Sequence, residues 1–308
     1  MSAKKQLDQL VSQFQKKRPI RAGSLIITLY GDAIVPRGGT VWLGSLARLL
    51  EPVGINERLV RTTVYRLVKE NWLQAEKVGR CSYYSLTGPG LRRFEQAFKH
   101  VYEMSTREWT GSWTLVLLTQ LEADTRRRVR EELKWLSFGS IGQGVMIHPR
   151  MRRQELLPLL QEWDAYDDTI VMQTHRVEPL SSRAMRREVR ESWNLEELSG
   201  RYRRFLNQFR PLWQDLQDED ALSPEDCLIA RTLLIHEYRK ILLRDPQLPD
   251  ALLPGDWEGR SARQLCRNLY RQIYERAEEW LDQTLENASG PLPGPNDGFY
   301  RRFGGLRD

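Results

Sequence analysis

Between Trp42 and Leu86 the apolar spacing switches from a helical period to a strand period, with stop signals at each change, and this switch limits what the chain can build there. Trp42, Leu43, Leu46, Leu49 and Leu50 suit a short helix that Pro52 and Gly54 end. Asn56 is placed to cap a second helix through about Glu70, because its side-chain oxygen can accept from the free N–H groups of the next turn. Val60, Val64 and Leu67 form the apolar stripe of that helix, widened by Leu59 and Val68. Arg58, Arg61, Thr62, Tyr65, Arg66 and Lys69 fall on the opposite side. Two strand-like runs follow, Gln74 to Val78 and Ser82 to Leu86, joined through Gly79, Arg80 and Cys81.

Helix, turn, basic helix and hairpin with an arginine at its tip is the order of a winged helix-turn-helix. In such a module the second helix enters the major groove of duplex DNA and the hairpin lies along phosphates or in the minor groove. Arg58, Arg61 and Thr62, near the start of the helix, are the candidates for base edges. Arg66, Lys69 and Arg80 are candidates for phosphates, as is Arg37 in the Gly- and Pro-rich stretch 31–40, which reads as a loop.

Charge points the same way. Residues 1–100 hold 17 Lys and Arg against 7 Asp and Glu, whereas the remaining 208 residues hold 30 against 34. The positive field therefore belongs to the N-terminal third, as expected where one domain meets a polyanion. The polar start of the chain has no apolar secretion signal, and Cys81, Cys227 and Cys266 are scattered outside any metal-ligand spacing. Both features suit reduced thiols in a cytoplasmic protein, and the apolar runs are too short for a membrane span.

Around the central module, residues 1–18 have the spacing of an amphipathic helix, 23–30 read as a helix beneath the recognition pair, and Gly90 to Tyr102 as a closing helix. From Trp113 the pattern becomes βαββαβ. Strands are predicted at 113–119, around 138–141, at 145–148 and at 169–175, with helices at 124–136 and 154–163. That order is ferredoxin-like. Beyond Arg183 helical signals dominate, at 183–193, 195–216, 224–243 and 261–285, and residues 287–308 read as a tail that packs irregularly or partly frays. The predicted class is α+β multidomain. A DNA-binding domain spans 1–104, a ferredoxin-like domain 105–178 and a helical domain 179–308.

Several blocks carry a family resemblance in a matching order along nearly the whole chain. They are RGGTVWLGSL (37–46), RLVRTTVYRLVKENWL (58–73), GRCSYYSLT (79–87), LLIHEYRKILLRDPQLPDALLP (233–254), SARQLC (261–266) and RFGGL (302–306). Together they resemble the PaaX family, repressors of phenylacetate-degradation operons. The resemblance implies an N-terminal winged helix, a central domain like the CRISPR-associated Cas2 fold and a helical C-terminal domain. It further implies a homodimer that releases operator DNA on binding phenylacetyl-CoA. An acyl-CoA needs cations for its phosphates and an apolar slot for its acyl group. His236, Tyr238, Arg239, Arg244, Trp257 and Arg263, in or near the family-like C-terminal block, are nominated as effector contacts.

Enzymatic readings find little support in the residues. A Cas2-like nuclease would place a metal-binding aspartate at the end of the first central strand, but Glu122 and Asp124 fall beyond it, and Asp124 reads as a helix cap. His100, His148, His175 and His236 share no ligand spacing, and neither a phosphate-binding loop nor a nucleophile elbow occurs, so no catalytic residue, metal or cofactor is assigned. The predicted role is a DNA-binding repressor. The alternatives are a regulator of the same architecture answering another acyl-CoA or aromatic acid, and an adaptor whose helical domain binds a protein.

Overall fold

The computed structural model describes residues 2–17, 19–103, 109–174, 183–216 and 221–307, with the side chains of 96–100 not described. The chain packs as two compact units. One is assembled from 1–104, 202–243 and 259–308, the other from 105–201 and 244–258. The N-terminal and C-terminal segments, read from the sequence as separate domains, thus share the first unit.

In the first unit, α1 (Ala3–Lys16) is capped by Ser2, whose hydroxyl accepts from the Lys5 N–H. Next come α2 (Ala22–Leu29), a short strand β1 (Thr40–Trp42), α3 (Leu43–Leu50) and α4 (Glu57–Lys69). A hairpin of β2 (Leu73–Val78) and β3 (Cys81–Leu86) leads into α5 (Gly88–Tyr102). β3 lies between β1 and β2, antiparallel to both, with Val41 opposite Tyr84 and Leu73 opposite Leu86.

The sequence offered no strand at β1, because three residues between glycines and a helix are too few for a period to register. Residues 31–40 are not an open loop either. Tyr30–Ile34 form one wide helical turn and Val35–Arg37 a tight one, both largely buried. The centre of the unit is α10 (Pro224–Leu242), buried along nearly its whole length and packed against α1, α2 and α5. A helix enclosed on all sides must be apolar around its circumference, and Leu228, Leu233, Leu234, Ile235 and Ile241 make it so.

The polar residues of α10 are enclosed as well, and they need partners. Arg231, fully buried, has Nη1 2.6 Å from Glu278 Oε1 on α11 (Glu258–Thr284), and its Nε makes an ion-pair contact of 2.8 Å with Asp32 Oδ2, off hydrogen-bond alignment. Asp32 Oδ1 accepts from Tyr102 at 2.6 Å, Tyr270 at 2.9 Å and Arg302 at 3.2 Å. The Arg302 guanidinium lies between the rings of Tyr102 and Phe299, with centroids at 4.1 and 4.6 Å. Arg37 completes the chain of charges. It donates to Glu278 from Nε and Nη2 at 3.0 and 2.5 Å, and from Nη1 to Asp282 at 2.7 Å.

Two expectations are corrected by this network. Arg37, assigned to a phosphate from its Gly-rich surroundings, is 1% exposed and saturated by carboxylates. The tail, built of short elements, does not fray over its described length, since Phe299, Phe303 and Leu306 are buried and Arg302 anchors it to Asp32.

The second unit is the βαββαβ sandwich. Its elements are β4 (Trp113–Leu117), α6 (Ala123–Trp135), β5 (Gly139–Ile141), β6 (Val145–His148), α7 (Arg153–Glu162) and β7 (Ile170–Thr174). The sheet runs β5-β6-β4-β7 with every neighbouring pair antiparallel. Val116 and Met146 point to one face and meet Val129 and Leu133 of α6 and Leu156 and Leu160 of α7. α8 (Arg183–Ser192) packs at β5. α9 (Leu195–Asp215) follows it in the chain. Asp124 is not the cap of α6; Glu122 holds the cap position and Asp124 pairs with Arg127 at 2.9 Å in the first turn.

Removing one member of a buried ion network strands its partners. Arg231→Met should lower the unfolding free energy by about 3–5 kcal/mol. Urea denaturation of the variant against the parent chain checks this.

Candidate nucleic-acid interface

α4 is held from behind and free in front. Asn56 caps it, its Oδ1 accepting from the Leu59 N–H at 2.9 Å, and Val60, Thr63, Val64 and Leu67 are buried against the unit. α2 and α3 both contact α4. The six residues assigned to the opposite face, Arg58, Arg61, Thr62, Tyr65, Arg66 and Lys69, are all exposed.

Their present partners are local and weak. Arg61 pairs with Glu57 at 2.5 Å and Arg66 with Glu70 at 3.7 Å, each one helical turn away and in solvent. The Thr62 hydroxyl donates to the Arg58 carbonyl at 2.9 Å, and Lys69 Nζ lies 4.8 Å from the centroid of the Tyr65 ring. Exposed pairs of this kind contribute roughly 0.3–0.5 kcal/mol, so the cations can exchange their carboxylates for phosphates at small cost. No carboxylate among the described residues is within ion-pair distance of Arg58.

The hairpin beside α4 ends in a two-residue turn, with Gly79 at φ +61° and Arg80 exposed at its tip. The left-handed backbone at that corner is the reason for glycine there. Gly90 is required for another reason. α5 begins so close to the hairpin base that a Cβ at this position would lie 2.4 Å from the Trp72 carbonyl oxygen. The inventory read from the sequence missed Lys77, an exposed cation of β2 paired in register with Ser82. The β2 period could have revealed it, but lysine is ordinary on any exposed strand.

The residues nominated for an effector divide between the units. Tyr238, buried, stacks at 5.4 Å on Phe205, and Arg239 donates from Nη2 to the Ser24 carbonyl and hydroxyl at 3.0 and 2.8 Å. His236 meets Phe14 edge-on at 5.8 Å, its Nδ1 lies 3.2 Å from the Thr28 hydroxyl, and burial pushes its pKa down to about 3. Arg263 donates to the Glu103 carbonyl. In the second unit Arg244 is exposed and Trp257 buried. Among the described residues, no group of three or more His, Cys, Asp or Glu side chains is arranged to hold a metal, and no helix is long and apolar enough to cross a membrane.

His148 is a backbone fastener. Its Nδ1 accepts from the Arg150 and Met151 N–H groups at 2.9 and 2.6 Å, and burial lowers its pKa to about 4. The folded chain holds His148 and His236 neutral, while the unfolded chain protonates each near 6.5. Stability from this source is therefore complete above about pH 6.5 and is lost as the pH falls from there toward 4. His148→Asn keeps an acceptor near the Nδ1 position and removes the proton uptake. Its unfolding free energy should fall less between about pH 7 and pH 5 than that of the parent, as read by urea titration.

Comparison with known proteins follows the chain in order. A family model described as PaaX-like protein matches residues 21–90, one for the PaaX protein central Cas2-like domain matches 106–191, and one for the PaaX-like protein C-terminal domain matches 193–283. The transcriptional repressor PaaX of Escherichia coli (strain K12) is 39% identical over 301 residues, which cover 97% of this chain and 95% of that protein. Among solved structures, the uncharacterized protein Rv0674 from Mycobacterium tuberculosis aligns over 75% of this chain and 88% of its own, at 22% identity and a TM-score of 0.48. With three family models in register along it and that identity over almost its full length, the chain belongs to the PaaX family of transcriptional repressors, regulators rather than enzymes.

Proposed function

We propose that the chain represses a phenylacetate-catabolic operon by binding operator DNA as a homodimer, through a winged helix-turn-helix over residues 40–86, and lets go when phenylacetyl-CoA binds. One observation carries the DNA reading. The exposed side of α4 holds four cations, Arg58, Arg61, Arg66 and Lys69, with a hydroxyl among them, and a hairpin tipped by Arg80 follows directly. A helix docked in the major groove reads base edges from its N-terminal residues and reaches phosphates from later turns. That gives Arg58, Arg61 and Thr62 of α4 to bases, and Arg66 and Lys69 of α4 with Lys77 and Arg80 of the hairpin to the backbone. Tyr65, exposed in mid-helix, is placed for apolar contact with a thymine methyl.

The effector reading rests on family membership. Arg244 and Arg263 are the nominated cations closest to solvent; His236, Tyr238, Arg239 and Trp257 can meet a ligand only where their packing opens. Such opening is itself a route to derepression. A ligand that binds the opened arrangement better shifts the population toward it, and one that binds both alike shifts nothing.

A titration at fixed salt of promoter and scrambled duplex, with and without phenylacetyl-CoA or free phenylacetate, tests both parts. Promoter preference abolished by the thioester alone is the expected result. Promoter binding that survives phenylacetyl-CoA removes this effector and directs the search to other acyl-CoAs. Arg58→Ala should cost about 1–3 kcal/mol of binding and relax preference at one base position. Arg80→Ala should weaken all sequences alike and flatten the salt dependence by about one unit of slope for each protomer, about two for the homodimer.

A further inference from the structure

We propose that α8 is a second DNA contact, one that grips the phosphate backbone without regard to sequence through Arg183, Arg186, Arg187 and Arg190. The inference rests on the reading of the chain as a DNA-binding repressor, but it draws on a different part of the molecule.

The four arginines stand at i, i+3, i+4 and i+7 of a ten-residue helix, so they share one stripe. All four are exposed, and no carboxylate among the described residues lies within ion-pair distance of any of them. Carboxylates are nevertheless at hand. Glu191 is one turn after Arg187, and the spacing allows a pair that does not form. Nor is the stripe a sample of a generally basic surface, since the second unit as a whole holds 16 Lys and Arg against 19 Asp and Glu.

The other side of the helix is fastened. Val189 is 1% exposed, the Ser192 hydroxyl donates to the Ser140 carbonyl at 2.9 Å, and the Trp193 indole N–H donates to the Ser137 carbonyl at 2.9 Å. The Trp193 ring lies so close to Gly139 that a Cβ there would be 2.7 Å from it. The arginines therefore project from a rigid base, and their mutual repulsion does nothing for folding.

Geometry and chemistry favour a nucleic-acid backbone as the occupant. From Arg183 to Arg190 the helix rises ~10 Å at 1.5 Å per residue. At one phosphate per ~3.4 Å along a strand, that length faces about three phosphates. Guanidinium groups bind phosphate oxygens in bidentate fashion. A membrane-surface helix would carry bulky apolar residues along the border of its basic stripe, whereas the larger apolar residues of α8 are Met185 and Val189 alone, and Val189 is buried in the unit.

The test uses the full chain. Arg186→Gln/Arg190→Gln is compared with the parent, with Arg186→Lys/Arg190→Lys and with Arg58→Ala, on operator and scrambled duplexes over a series of salt concentrations. Loss of two phosphate contacts in each protomer, about four in the homodimer, should flatten the slope of log affinity against log salt by about 3.6, equally on both duplexes, with most of that slope kept by the lysine pair. A slope unchanged in the glutamine pair overturns the proposal. If the same pair then loses its response to phenylacetyl-CoA, or fails to bind an acidic protein, the stripe belongs to that ligand and the DNA assignment is equally overturned. A parent chain with no affinity for either duplex defeats the repressor reading itself. Weakening by Arg58→Ala with a silent α8 pair defeats only this proposal.

Discussion

Asp32 accepts from two tyrosines and one arginine and makes an ion-pair contact with a second arginine, and the first unit is arranged around that carboxylate. Buried charges are tolerated when each is paired and hydrogen-bonded, and costly otherwise. Here the charges alternate from Arg302 through Asp32, Arg231 and Glu278 to Arg37, with Asp282 at the solvent end. Burial raises the pKa of Tyr102 and Tyr270, so both hydroxyls stay protonated and donate to the carboxylate. Such a network adds less to net stability than an apolar core of equal volume would, but it admits one arrangement of its members, and that uniqueness is what a reading surface needs.

The arrangement reaches the candidate DNA face through packing. Asp32 and Arg37 lie in the segment joining α2 to β1, so the network sets where that segment runs. α2 and α3, the helices on either side of it, both contact α4, and Tyr30 donates to the Tyr84 carbonyl of β3 at 3.0 Å. α4 and the hairpin are thereby referred to one buried framework. Glu278 of α11 and Arg302 of the tail belong to that framework, so a change in the C-terminal helices has a continuous set of contacts by which to alter the pose of α4.

Much of this was legible in the residues, and the exceptions have physical causes. α4 was readable because amphipathic period, cap and stop signal coincide between Asn56 and Glu70. The order of the central sandwich was readable because clear helices separate β4 from the β5–β6 pair and that pair from β7. Arg37 was misread because glycine and proline around a cation signal a loop whether the side chain points out or in, and its carboxylate partners are more than 240 residues away in sequence. Partial fraying of the tail was expected for a related reason. Phe299, Arg302 and Phe303 have no period of their own, and their burial depends on Tyr102, Tyr270 and Asp32, supplied from elsewhere. His236 and Tyr238 were nominated from the family-like block in which they lie, and no local signal there could show that α10 packs against α1, α2 and α5 around them.

The first unit is discontinuous in the chain, with 105–201 inserted between its segments and Arg302 near its end. During synthesis, α4 and its hairpin leave the ribosome long before Arg231 and Arg302, the cations beside Asp32, and Glu278 and Asp282, the carboxylates that hold Arg37. The inserted sandwich has its strands and their covering helices in one run of sequence, so it can close first. A nascent chain cut short before Arg302 would carry the whole basic helix yet leave Asp32 lacking one of its cations. The framework behind α4 is therefore completed only when segments far apart in the chain have met.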